Sequence, residues 1–431
     1  MDTFGLSRVL AVTIVSVVGL LLISAVFWFF YSAPPHTITI TAGAPGSSFQ
    51  TNAMQYREFL ARKGVKLKIL SSEGSLQNLQ RLEDPSIHVD IGFVQGGITN
   101  GPARIKLASL GSISYQPLLV FYRGSNSVAL LSDLKGKRLD IGPVGSGTRA
   151  LALALLGLNG IESSNTTSFV DLEAADPAKA LLDGTVDAVF LMGDSASPKL
   201  MRSLLLTPGV ELLNFAQADG YTRRISYLNK LELPRGSLDF GKDIPPHDVY
   251  ILGPTVELLA RPNLHTALCD LLIEAAQEVH GSASLLKRKG EFPAPLEHEF
   301  PISVEASRYY KSGKSFLYRS LPFGLAGVVN RVLVVFVPLL VVLVPGMRAV
   351  PFLIRLRVRL RIYRWYRALL GVERDLLGAL TPQQREQLLV RLGEIEKAVN
   401  KMRVPASFAD QFYGLRGDIG FVRERLTRSG S

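Results

Sequence analysis

The residues best placed to do chemistry lie within positions 133–156, DLKGKRLDIGPVGSGTRALALALL, and their types suit holding an anion more than breaking a bond. A basic turn leads into a short strand (138–141), then a glycine-rich bend, then a helix of small and aliphatic residues. That layout puts the amides of Gly145, Ser146, Gly147 and Thr148 at an open helix start, where unpaired N–H groups and the helix dipole favour negative charge. Arg149 adds a full charge and a possible bidentate fork. The competing reading is an ordinary strand-to-helix turn, with glycine for positive φ and Ser146 as the N-cap. The bend has no G-x-G-x-x-G and no G-K-[ST], and Val144 stands where a nucleophile elbow needs glycine.

Stepping outward, positions 37–320 alternate short β-rich runs with helical runs, the pattern of an α/β fold with mostly parallel strands. Strands at 37–41, 66–71 and 138–141 open through Gly/Ser turns (43–48, 73–75, 145–148) into helix starts. Further strands fall at 89–94, ending in Gln95-Gly96-Gly97, at 118–122, and at 188–192, ending in Gly193-Asp194-Ser195. Ligands of open α/β sheets bind beyond the carboxyl ends of strands. One helix terminus supplies at most about 2 kcal/mol, whereas micromolar affinity needs about 8 kcal/mol. Several turns must therefore share one cleft, with apolar help from residues such as Phe49.

Positions 9–31 carry no charge, and 23 residues at about 1.5 Å each give roughly 34 Å, enough to span a bilayer. No small-x-small cleavage site follows, so the run reads as an uncleaved anchor with Trp28 and Tyr31 at the interface. A second apolar run (322–346) contains Arg331, which is expected near one face with its head snorkelling outward. Arg348, Arg355, Arg357, Arg359, Arg361, Arg364 and Arg367 follow, placing that end, and with two spans the N-terminus (1–8), in the cytoplasm. The net charge is +11. From position 347 onward there are 17 Lys/Arg against 8 Asp/Glu, while positions 32–330 hold 29 against 28. The excess thus sits beside the membrane, facing anionic headgroups, and is no nucleic-acid footprint. With Cys269 alone, the external part has no internal disulfide.

The external part closely resembles the TAXI solute-binding proteins of TRAP-type (tripartite ATP-independent periplasmic) transporters. The likeness rests on TAGAPGSSF (41–49), SEGSLQNLQRL (72–82), DIGFVQ (90–95), positions 133–152, DGTVDAVF (183–190), IPPHDVYILGPTVELLA (244–260), GEFPAPLEHEFP (290–301) and ASRYYKSGKSFLYRSLPF (306–323). It extends into RIYRWYRALLGVE (361–373), as in membrane-anchored members. The resemblance implies an α/β, type II periplasmic-binding-protein-like clamp: lobe one from 36–122 and 228–318, lobe two from 123–227, joined by a two-strand hinge. It implies a small anionic solute such as glutamate, 2-oxoglutarate or a dicarboxylate, and delivery to separate TRAP-type permease subunits from the periplasmic face of the bacterial inner membrane. Carried over by position, the ligand loops are Ser47, Ser48 and Phe49; Gly74, Ser75 and Asn78; Gln95; and Ser146, Gly147, Thr148 and Arg149. Departures from the family are AGAPGSSF in the first loop, Glu73 where small residues are usual, and Gly96-Gly97 after Gln95. Glu73 either faces solvent or would oppose a dicarboxylate and pair an amino group.

Six scattered histidines (His36, His88, His247, His265, His280, His298) form no metal motif, and Glu297-His298-Glu299 reads as a solvated charge run. With no nucleophile–base pair and no cofactor motif, the chain reads as a non-enzyme without cofactor or metal. Positions 347–370 form a basic helix with an apolar track at Leu356, Leu360, Tyr363, Tyr366 and Leu370, expected to lie along the inner membrane surface. Positions 375–431 read as a cytoplasmic helical hairpin. Thr381-Pro382-Gln383-Gln384 starts one helix, with Leu388, Leu392, Ile395, Val399 and Met402 on one face. Ser407 starts a second, with Phe408, Phe412, Leu415, Ile419, Val422 and Leu426. The two stripes can pair with each other or accept a coiled-coil partner. A sensor that reports occupancy across the membrane is the alternative function.

Overall fold

Short strands rich in Ile, Val, Leu and Thr alternate with amphipathic helices across positions 34–329, one of two units into which the chain divides; the other joins 1–33 with 330–431. The computed structural model describes residues 8–428 except 32, 100–106, 124–127, 165, 171, 173–176, 297–298, 315, 322, 379–380, 403 and 405. His298 and Glu297 therefore lie outside the described residues.

After an N-terminal helix α1 (Arg8–Tyr31), the first lobe begins with β1 (Thr37–Thr41), α2 (Ser48–Arg62), β2 (Lys66–Leu70), α3 (Ser75–Glu83), β3 (Ile91–Gln95) and β4 (Ala108–Tyr115). The second lobe contains β5 (Leu119–Arg123), β6 (Arg138–Asp140), α4 (Gly147–Leu158), β7 (Ser168–Val170), α5 (Pro177–Leu182), β8 (Ala188–Leu191), α6 (Pro198–Leu205), β9 (Val210–Leu212) and α7 (Ala218–Arg224). The chain returns through β10 (Leu228–Leu233) and β11 (Val249–Ala260) to α8 (Thr266–His280), α9 (Val304–Ser312) and α10 (Phe316–Ser320).

Two mixed sheets result. The first runs β10-β11-β3-β1-β2 with β4 also on β11, and the second runs β7-β6-β8-β5-β9. Pairs β1–β2, β1–β3, β6–β7 and β6–β8 are parallel; β11 pairs antiparallel with β3, β4 and β10, and β5 with β8 and β9. This is the two-lobed α/β layout expected from sequence, with more antiparallel pairing. β5 pairs in the second sheet, so the lobe boundary falls before Leu119 rather than after position 122. β1 and β3 are buried on both faces, as central strands covered by helices require. α2 packs Phe49, Ala53, Tyr56, Phe59 and Leu60 onto this sheet and stops at Gly64, whose φ of +80° suits a helix end. Arg261 closes α3 by donating to the carbonyls of Leu82 (3.0 Å), Arg81 (2.9 Å) and Asp84 (2.6 Å).

α11 (Phe323–Leu376) is one 54-residue helix that begins in the unit of residues 34–329 and continues into the other, where α12 (Pro382–Asn400) and α13 (Ala409–Arg428) follow. Among the described residues one stretch, Phe323–Gly346, is long and apolar enough to cross a membrane, with mean hydropathy 2.5; the described apolar stretch of α1, Ser16–Tyr31, is shorter. Arg331 packs over the Phe29 ring, 5.1 Å from its centroid. The Thr381–Gln384 capping box forms. α12 and α13 bury Leu388, Leu392, Ile395 and Val399 against Leu415, Ile419, Val422 and Leu426. They do not form a bare hairpin: Ile362, Leu369 and Val372 of α11 complete a three-helix core. Of the track Leu356, Leu360, Tyr363, Tyr366 and Leu370, Tyr366 packs against this core and the other four are exposed, because α11 carries apolar residues on two faces and the tail mainly uses the other.

Glu257 of β11 is 1 % exposed, opposite Val94 on one side and Ser112 on the other. Burial pushes its carboxyl from 4.5 up to about 7; a Ser109 hydrogen bond opposes this and the Glu299 charge adds to it. The folded chain thus keeps a proton that the unfolded chain gives up, so the associated stability is present below about pH 4.5 and lost as pH rises through about 7. A shift of this size corresponds to on the order of 3 kcal/mol. In detergent, the melting temperature of the full chain should fall between pH 4.5 and 8, and Glu257→Gln should flatten that fall.

Candidate functional site

Two segments cross between the lobes of residues 34–329, and they pair with each other. Gln116 N–H donates to the Pro254 carbonyl and Leu118 N–H to that of Leu252, both at 2.8 Å. A Cβ on Gly253 would collide with the Gln116 backbone, so glycine permits this close crossing. β11 serves both halves: Ile251 and Leu252 pack in cores with β5 and β8, while Val256 and Leu258 pack with β1 and β3.

Beyond the hinge the lobes are shut on one another. Four hydrogen bonds close the seam among the described residues. Phe49 N–H donates to the Gly193 carbonyl (3.2 Å), Gln77 N–H to that of Gly145 (3.0 Å), Gln95 Nε2 to that of Gly147 (3.0 Å), and Ser75 N–H to Asp194 Oδ2 (3.3 Å). In these four every donor belongs to the first lobe and every acceptor to the second; at the hinge Gln116 runs the other way, accepting from second-lobe amides. A Cβ on Gly147 would land on the Gln95 amide, so this approach requires glycine.

Asp194, fully buried, is the centre of the seam. Its Oδ2 accepts from Gly147 N–H (2.5 Å) as well as from Ser75, and its Oδ1 from Thr148 Oγ1 (2.8 Å). Gln116, with its amide oxygen turned toward this loop, accepts from the amides of Gly193 (2.9 Å) and Asp194 (2.6 Å). Burial raises the carboxyl's pKa above the ordinary range, opposed by hydrogen bonds from Thr148, Gly147, Ser75 and Ser195. The chain's own carboxylate thus occupies the starts of α3 and α4, where helix-terminal N–H groups favour negative charge.

The structure brings Phe49, Gly74, Ser75, Gln95, Gly147 and Thr148 to this seam. Gly74, at φ +139°, lies against the Asp194 carboxyl, and Ser48 lies against Gly193. Ser47 and Ser146 cap α2 and α4, accepting from Gln50 N–H (3.2 Å) and Arg149 N–H (3.1 Å). Asn78 is wholly engaged inside the first lobe. It accepts from Thr41 (2.6 Å) and Ser72 (2.7 Å) and donates to the carbonyls of Phe93 (2.8 Å) and Ala42. Arg149 donates to the Gly142 carbonyl of its own lobe (3.1 Å). Glu73 is exposed at the rim beside Gly145. Sequence reasoning missed Asp194 and Gln116. The signal for Asp194 was its place one residue past the turn glycine that ends β8, a strand-end position of the same kind as the others.

These two lobes, crossed twice and closed over a polar seam, define a clamp. Residues 51–245 match the NMT1-like family, fewer than half of the chain. Solved structures with similarity include the periplasmic aliphatic sulphonate binding protein SsuA from Escherichia coli (17 % identity, TM-score 0.37, covering 57 % of this chain and 73 % of that one). An ancestral arginine-binding protein bound to arginine matches at 15 % identity and TM-score 0.36, covering 57 % and 92 %. A putative L-cystine ABC transporter from Listeria monocytogenes matches at 16 % identity and TM-score 0.36, covering 57 % and 90 %.

Gly147→Ala should hold the lobes apart, raising the chain's sensitivity to limited proteolysis at 143–149. The control Gly157→Ala, whose Cβ meets nothing within 4 Å, should gain roughly 0.5–1 kcal/mol from helix propensity.

Proposed function

We propose that residues 34–329 form the solute-capturing clamp of a TRAP-type, TAXI-like transport system, tethered to the bacterial inner membrane. Spans at 9–31 and 323–346 would leave the clamp in the periplasm and both termini in the cytoplasm. The basic stretch after position 346 would meet anionic headgroups with its first turns. Two spans cannot enclose a transport pathway, so the permease subunits are separate chains.

The observation that carries this reading is the convergence of helix starts from both lobes on one buried carboxylate. A seam that satisfies a carboxylate of its own chain has the donors for a solute's. Closure on the solute is then a population shift, driven by bonds available only when both lobes contribute. The solute class is a small carboxylate-bearing metabolite such as glutamate, 2-oxoglutarate or a dicarboxylate. Among the described residues the seam's hydroxyl–carboxylate pair, Thr148 with Asp194, is tied into the start of α4, which favours binding over catalysis.

The full chain in detergent should gain stability with at least one of glutamate, 2-oxoglutarate, C4-dicarboxylates or neutral amino acids. Saturation at about 100 times Kd adds about 2.7 kcal/mol. No shift with any of them would defeat the clamp reading. The continuity of α11 into the tail core favours a second reading, a sensor relaying occupancy to a cytoplasmic partner. Deleting residues 377–431 separates the two: solute uptake survives the deletion in a transport subunit, whereas a sensor's output is abolished.

A further inference from the structure

We infer that the seam selects a zwitterion, an α-amino acid, with its carboxylate on the first lobe and its ammonium on Asp194 of the second, so that Asp194 is the specificity-determining residue. This rests on the clamp reading above and narrows its solute class.

Three observations carry it. Away from the hinge residue Gln116, which accepts from the Gly193 and Asp194 amides, the seam's bonds are polarised: Phe49, Ser75, Gln77 and Gln95 donate from the first lobe, and Gly193, Asp194, Gly145 and Gly147 accept on the second. When the lobes part, the first presents free N–H groups at the starts of α2 and α3, and the second presents oxygens. A guest that replaces these bonds must offer acceptors to one lobe and donors to the other.

Asp194 stays with the second lobe on opening. Its bonds to Gly147 (2.5 Å) and Thr148 (2.8 Å) are short and internal to that lobe, whereas the one to Ser75 is 3.3 Å and crosses the seam. The start of α4 is therefore already filled by negative charge, and a second carboxylate placed there would be repelled. An ammonium placed there instead makes a charge-assisted bond in surroundings that screen it little.

The third observation concerns a side-chain acceptor, not a helix-terminal N–H. Gln95, 1 % exposed, donates through Nε2 to the Gly147 carbonyl, which fixes its amide orientation and leaves Oε1 without a partner. A Cβ on Gly147 would strike this amide, so the orphan oxygen points into the seam at the start of α4. An unpaired acceptor beside a carboxylate asks for a donor, which a plain 2-oxo acid lacks.

Matched pairs test this directly, because each 2-oxo acid differs from its amino acid only at the amine. Alanine and pyruvate, aspartate and oxaloacetate, glutamate and 2-oxoglutarate, leucine and 4-methyl-2-oxopentanoate, and phenylalanine and phenylpyruvate would be titrated calorimetrically into the full chain in detergent. At least one amino acid should bind about 30-fold or more tightly than its partner. Asp194→Asn should bring that ratio below about 3 by weakening the amino acid. Binding of 2-oxo acids as tight as that of amino acids overturns the inference and leaves the clamp reading standing. So does a ratio unchanged in a folded Asp194→Asn chain. Should that variant not fold, the wild-type ratios alone decide. Heat from no member of either series overturns both.

Discussion

A single buried charge governs the state of the clamp. An isolated carboxylate withdrawn from water costs several kcal/mol unless donors replace the lost hydration. Asp194 finds its donors on two helix starts and a threonine hydroxyl, and one of them, Ser75 N–H, belongs to the opposite lobe. Solvation of this group and closure of the lobes are therefore linked: opening withdraws a donor and readmits water, and closing reverses both. The glycines at 74, 147 and 193 belong to the same constraint, since a side chain at any of them would occupy space used by Asp194, Gln95 or Ser48.

The strand-and-turn grammar of the clamp was readable because it is local. Ser146 and, in the tail, Thr381 cap helices where their spacing to the following amides says they should. Strand ends opening into helices through glycine share one seam, as the carboxyl-end rule anticipates. What depends on partners distant in the chain was not readable. Asp194 looks in isolation like any turn residue, and only the fold brings it 46 positions back to Thr148 and 119 back to Ser75. Asn78 looks like a ligand residue, yet its amide ties β1, β3 and the loops beside them together. On α11 two apolar tracks compete, and sequence periodicity does not say which one α12 and α13 will cover.

Strand pairing shows the same limit. The alternation of β-rich and helical runs gave the expectation of mostly parallel strands, and β1, β2, β3, β6, β7 and β8 pair that way. The antiparallel members are β4, β5, β9, β10 and β11, the strands that lead into or away from the crossings. A chain that must pass between lobes and return runs against its neighbours as it does so. The direction of these strands is set by topology, not by residue type.

α11 runs without an intervening loop from its apolar stretch into the part that packs with α12 and α13, with Pro345, Gly346 and Pro351 between the two. From Gly346 to Leu376 it is a rod of about 45 Å at 1.5 Å per residue. A loop would absorb a twist, but an unbroken helix passes rotation along its axis. Turning the apolar end by one residue's worth, about 100°, would have to rotate Ile362, Leu369 and Val372 out of the core they share with the tail. The tail is thus coupled to the apolar stretch: it either moves with that helix or holds it still.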